Sequence, residues 1–251
     1  MDNKHLIAAV LQIADDHLIL GHRLSEWCGH APMLEEDLSM PNMALDLIGQ
    51  ARHLYTYAAS LEGKGRSEDD LAYLRTDREY TNCLLVERGN IDFAHTMLKQ
   101  LYFAAYMKPL WENIATCSDT VLSEIAGKAV KEIAYHIRHS GEWVIRLGDG
   151  TEESARRMQQ AVEALHPYTE ELFRSDAHRS ACIESGVMPD DEAIRPQWHA
   201  TVSSVFDQAK LTLPEVRYPM LGGREGKHTE EFGYLLAELQ YMQRTYPGAQ
   251  W

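Results

Sequence analysis

Several features that would mark a secreted, membrane-embedded or nucleic-acid-binding protein are missing from this chain. No apolar run approaches the roughly 20 residues needed to cross a bilayer, and Met1-Asp2-Asn3-Lys4-His5 has no leader pattern. A cytoplasmic protein with no membrane partner is therefore predicted. Its 4 cysteines, Cys28, Cys83, Cys117 and Cys182, form no Cys-x-x-Cys pair, which argues against a zinc clasp or disulfide framework and for reduced, mostly buried thiols. Cations are scarce as well: 24 Lys and Arg against 38 Asp and Glu leave a formal charge of -14. Such a surface repels phosphate backbones, so nucleic acid is not an expected partner. One absence is local. Residues 93–111, Phe-Ala-His-Thr-Met-Leu-Lys-Gln-Leu-Tyr-Phe-Ala-Ala-Tyr-Met-Lys-Pro-Leu-Trp, form a long helical pattern without a single carboxylate.

Helical periodicity is what the chain has in abundance. Leu6, Val10, Ile13, His17, Leu20, Leu24 and Trp27 alternate in steps of four and three, which predicts an amphipathic helix over about 4–28, ended by Gly29 and Pro32. Met40, Ala44, Leu47, Ala51, Leu54, Ala58 and Leu61 predict a second over about 36–61, stopping at Gly63-Lys64-Gly65. A short helix near 67–86 follows, then one from about 92 to 117 with a kink at Pro109, and one over about 119–147 whose seam is Ala126, Val130, Ile133, Ile137, Val144 and Leu147. Beyond them, a helix starts near Thr151, helped by Glu152 and Glu153 at its positive end, and is kinked by Pro167. Residues 176–192 read as an irregular connection, about 193–210 and 229–245 as helices, and Leu213 to Lys227 as a long loop. The expected fold is all-α: a ferritin-like four-helix bundle with additional C-terminal helices, in one domain over 1–251, the core at about 4–148 and the extension at about 151–251.

A di-iron centre in such a bundle takes a carboxylate from two helices and Glu-x-x-His from the other two, because residues three apart share a helix face. That spacing occurs at Glu163-Ala-Leu-His166 and Glu225-Gly-Lys-His228, but the first runs into Pro167 and the second lies in the glycine-rich loop. In the core helices the inward pairs are Leu47 with Gln50 and Ile133 with His136, so the metal positions read as degenerate. Together with the acid-free stretch this predicts no metal bound and no catalytic residue in this chain. His17, Asp46, Lys108, Glu132 and His136 are expected to fill the interior as a polar network, with His139 and Glu142 beside it, since an unpaired buried carboxylate costs several kcal/mol. Asp46 has His136 and Lys108 as candidate partners. Gly222-Gly223-Arg224-Glu225-Gly226-Lys227 lacks P-loop spacing, yet Arg224 and Lys227 are candidates for contact with a CoA ester or a partner.

Four sequence blocks carry a family resemblance. Leu24-Ser-Glu-Trp-Cys-Gly-His-Ala-Pro32, Leu45-Asp-Leu-Ile-Gly-Gln-Ala-Arg52, Lys131-Glu-Ile-Ala-Tyr-His-Ile-Arg138 and Gly226-Lys-His-Thr-Glu230 resemble the PaaC family, and the likeness runs on to Pro247-Gly-Ala-Gln-Trp251. This family is the structural subunit of the ring-epoxidising phenylacetyl-CoA monooxygenase. The resemblance implies a hetero-oligomer with a homologous, PaaA-type catalytic subunit that holds the di-iron centre. It also implies a separate reductase with FAD and iron–sulfur centres fed by NADPH, and no cofactor in this chain. Two other readings stay open: a self-sufficient di-iron oxygenase using Asp15, His17, Asp46, Glu132 and His136, and an acyl-CoA-binding module using Arg224 and Lys227.

Overall fold

A computed structural model describes residues 2–249, so Met1 and the terminal Gln250 and Trp251 of the last resembling segment lie outside the described residues. The chain builds an all-α, ferritin-like helical fold, with no strand among the described residues. Helix α1 (Asn3–Ser25) starts where the Asp2 side chain accepts from the Lys4 amide, and α2 (Leu34–Glu62) ends where Gly63 turns left-handed at φ 65°. Helix α5 (Phe93–Ile114) and α6 (Thr120–Gly148) start from Asp92 and Asp119, whose side chains accept from the amides of His95 and Leu122. α1 packs along α2 and α5 along α6, while α2 meets α6 across the bundle.

The segment predicted as one helix near 67–86 is instead broken into α3 (Glu68–Tyr73), a 3-10 turn at Asp77–Glu79 and α4 (Leu84–Glu87). The reason is a competing set of acceptors. Thr81 N–H donates to Asp15 at 2.9 Å, Cys83 N–H to Asp16 at 2.7 Å and Leu84 N–H to Glu171 at 2.7 Å, so buried carboxylates satisfy amides that a helix would have paired internally. The expected irregular connection over 176–192 likewise contains a helix, α8 (Ala177–Glu184), started by the Asp176 side chain on the Arg179 amide at 2.7 Å.

α7 (Glu152–Leu165) gives way at Pro167 to a 3-10 stretch (His166–Phe173), because proline supplies no N–H for the α ladder. α9 (Asp191–Ala209) and α7 pack against α5 and α6, and α8 against α1. α10 (Glu230–Thr245) lies on α3. These additions wrap α5 so fully that Lys99, Gln100, Tyr102 and Trp111 are all buried. From Ala94 to Met107 the helix is covered on every side and has no polar face to offer solvent, which accounts for the shortage of acids there.

Candidate functional site

The centre of the bundle is built from four helices. α1 contributes His17, completely buried, whose Nδ1 donates to the Ile13 carbonyl at 2.7 Å, one turn back. Burial pushes its pKa down to about 4, because a charged imidazole has lost its water, so the ring is neutral at pH 7. Its faces meet Phe103 and Trp111 of α5, with ring centroids 5.2 and 5.6 Å away. α2 turns Leu47 and Gln50 inward, and α6 turns Ile133 and His136 inward; all are buried.

His136 is held from both ends. The Gln100 side-chain amide donates to Nδ1 at 3.0 Å, which makes that nitrogen an acceptor and puts the ring proton on Nε2, aimed at an Asp46 oxygen 3.2 Å away. A chain of polar groups thus runs from the buried α5 through α6 to Asp46, whose side chain is 35% exposed on α2. Parallel to it, the Gln50 amide donates to Glu132 at 2.8 Å, and Glu132 also meets Lys128 at 3.3 Å. His139 pairs with Glu36 at 2.9 Å and meets Ser39 at 3.2 Å. Sequence periodicity could not show Gln100 or Glu36 as partners, since both connections cross between helices far apart in the chain.

Three expectations need correction. Lys108 does not enter this network; it is partly exposed on α5 and pairs with Glu112 one turn on, while His136 is the neighbour that Asp46 meets. Glu142 is exposed and stands outside it. Arg224 does not face solvent as a phosphate anchor would: its guanidinium lies against α1, donating to Asp16 at 2.8 and 3.0 Å and to the Thr81 carbonyl at 2.9 Å. Withdrawing it would leave Asp16 buried and unpaired. Lys227 is exposed and pairs with Glu225 at 2.6 Å.

The remaining titratable candidates are engaged elsewhere. Asp15 pairs with Arg75, accepts from the Tyr55 hydroxyl at 2.6 Å, and faces away from His17 toward the α3–α4 segment. Of the two Glu-x-x-His matches, Glu163 is exposed while His166 is buried. His228 donates to Glu87 at 2.8 Å and to the Tyr80 carbonyl at 3.0 Å; burial lowers its pKa, but the bond and charge of Glu87 together with the Tyr80 carbonyl and Asp15 outweigh that and raise it. Among the described residues no three His, Cys, Asp or Glu side chains come together as a metal site would require. Chemically, the centre can hold one imidazole neutral and orient another; it offers no cluster of anionic oxygens.

Comparison with known proteins gives the chain its place. The family model described as "Phenylacetic acid catabolic protein" matches residues 1–251. A curated relative from Escherichia coli (strain K12), one of the subunits of 1,2-phenylacetyl-CoA epoxidase, is 44% identical over 248 residues, covering 99% of this chain and 100% of the relative. The chain belongs to the phenylacetic acid catabolic protein family.

Proposed function

We propose that this member of the family is the non-catalytic structural subunit of a multicomponent di-iron monooxygenase that epoxidises the aromatic ring of phenylacetyl-CoA. It stabilises a homologous, PaaA-type catalytic subunit and helps shape that subunit's acyl-CoA cleft, in the cytoplasm. What carries the reading is the make-up of the bundle's centre. A di-iron pair needs inward carboxylates from all four helices together with two histidines. Here Leu47 and Ile133 occupy such positions as hydrocarbon, Gln50 as an amide, and α5 brings none between 93 and 111. His136 is spent on Gln100 and Asp46, and His17, whose Nδ1 donates to a backbone carbonyl, leaves one imidazole nitrogen, Nε2, in a centre where no three His, Cys, Asp or Glu side chains come together among the described residues. The residues do not fit iron, and no oxidative step is assigned to this chain. The di-iron centre belongs to the sister subunit, and NADPH, FAD and iron–sulfur chemistry to the reductase.

Metal analysis and turnover test this together. The purified chain is expected to carry less than about 0.1 iron per molecule and to be inactive on phenylacetyl-CoA with the reductase, until the sister subunit is added. About two irons per chain with epoxide formed by this chain and the reductase alone would replace it with the self-sufficient oxygenase.

A further inference from the structure

Helix α2 has two seams. The inward one, Met40, Ala44, Leu47, Ala51, Leu54 and Ala58, is buried in the bundle. A second runs along its outer side, where Leu34, Leu38 and Leu45 are 70%, 59% and 66% exposed. From Leu38 through Asn42 and Leu45 to Gly49 the steps are four, three and four, the rhythm by which one helix packs its side chains into the holes of another. Scattered exposed leucines need no explanation, but an aligned row of them does.

Two further features lie on or beside that row. Gly49 stands in the helix interior, where glycine weakens a helix relative to alanine, yet a Cβ built there would meet nothing within 4 Å. Nothing within this chain requires the missing side chain, and the gap leaves room for a close approach from outside. Asp46 is the second feature. One oxygen is oriented by the buried His136, while the other has no hydrogen-bond partner among the described residues, at the edge of an apolar row. A carboxylate fixed in this way complements a cation.

We propose that this outer face of α2 docks a helix of a different subunit, one that crosses close over Gly49 and sets an Arg or Lys side chain against Asp46. The proposal rests on the scaffold reading above and names the face that performs it. The seam rhythm calls for a helix as occupant, and Asp46 calls for a cation on it. A formal charge of -14 opposes the docking of a second copy of the same chain.

The test uses this chain and its homologous sister subunit from the same host, with affinity measured by calorimetry. Gly49→Leu should weaken the complex at least about 30-fold, and Asp46→Asn about 10-fold with a shallower salt dependence. Gly49→Leu should leave the melting temperature of the isolated chain unchanged or higher, because the added Cβ finds open space and leucine favours a helix over glycine. If that temperature falls instead, Leu45→Glu at an already exposed position replaces it as the disrupting variant, with the same loss of affinity expected. Tyr234→Ser, at an exposed position of α10, should leave affinity within about twofold. Variants that bind like the natural chain would overturn the face assignment and leave the scaffold reading standing. No binding of the natural chain to its sister would remove the scaffold reading first, and this inference with it. A dimer of this chain alone that Gly49→Leu dissolves would make a second copy the occupant and overturn the proposal.

Discussion

The Lys99 side chain is buried under the loop that leads into α5, where its ammonium donates to the Arg88 carbonyl and, at 3.1 Å, to the Asn90 side chain. Burial first, then the neighbouring Arg23 charge, lower its pKa from an ordinary 10.5 to about 7, with Arg88 acting in the same direction and Glu26 and Glu231 opposing. Between pH 7 and 10.5 the unfolded chain therefore binds a proton at this residue that the folded chain does not, and stability rises with pH across that window. Lys99→Met should flatten this rise and make the protein more stable near neutrality, which urea unfolding at a series of pH values will show. His228 works in the opposite sense. Its raised pKa supplies stability that is complete below the ordinary histidine value and is lost as pH climbs through the folded value, so His228→Gln should lose that component. Of these residues the sequence showed the identities only. Lys99 looks like any other helix lysine until the neighbours that bury it are known.

Elements meet at contacts whose tolerance is narrow. A Cβ added at Gly148, the last residue of α6, would stand 2.4 Å from the Ala209 carbonyl oxygen and 2.8 Å from its Cβ at the end of α9. Gly148→Ala should therefore cost about 1–3 kcal/mol and lower the melting temperature by several degrees, as for other overpacked sites. The Arg224–Asp16 pair fastens the C-terminal loop to α1 across most of the chain's length. Arg224→Met should cost about 3–5 kcal/mol at neutral pH by stranding a buried carboxylate, and Asp16→Asn in the same chain should recover part of the loss. Seam periodicity made the long helices readable, because their apolar residues recur every three or four positions over many turns. It failed over 67–86, where the partners of the backbone amides are carboxylates on α1 and in the 3-10 stretch. It failed again at α8, a short helix with too few turns to establish a rhythm.

At the scale of the whole molecule, the proposed scaffold role is reciprocal: a subunit that supports another should itself be supported in return. Binding that favours only the folded form adds about 2.7 kcal/mol when the partner is present at 100 times its dissociation constant. Under the proposed scaffold role the chain is expected to melt several degrees higher with the proposed sister subunit than alone, a shift that scanning calorimetry at two partner concentrations would check. The absence of acids from 93–111 is explained at this scale too. α5 is enclosed by α6, α7 and α9, so the polar groups it keeps, such as Gln100 and Lys99, need internal partners rather than water.

The sequence by itself determined that this chain is helical, where its long helices run, and that Leu47, Gln50, Ile133 and His136 face inward from their helices. Those facts follow from residue identity and from a period fixed by helix geometry. Only the tertiary structure decided that His136 joins Gln100 to Asp46, that Arg224 is spent on Asp16 instead of facing outward, and that Lys108 lies outside the polar centre. Each of these is a contact between side chains whose positions depend on how separate helices pack, and a one-dimensional pattern carries no information about which charge will be buried opposite which.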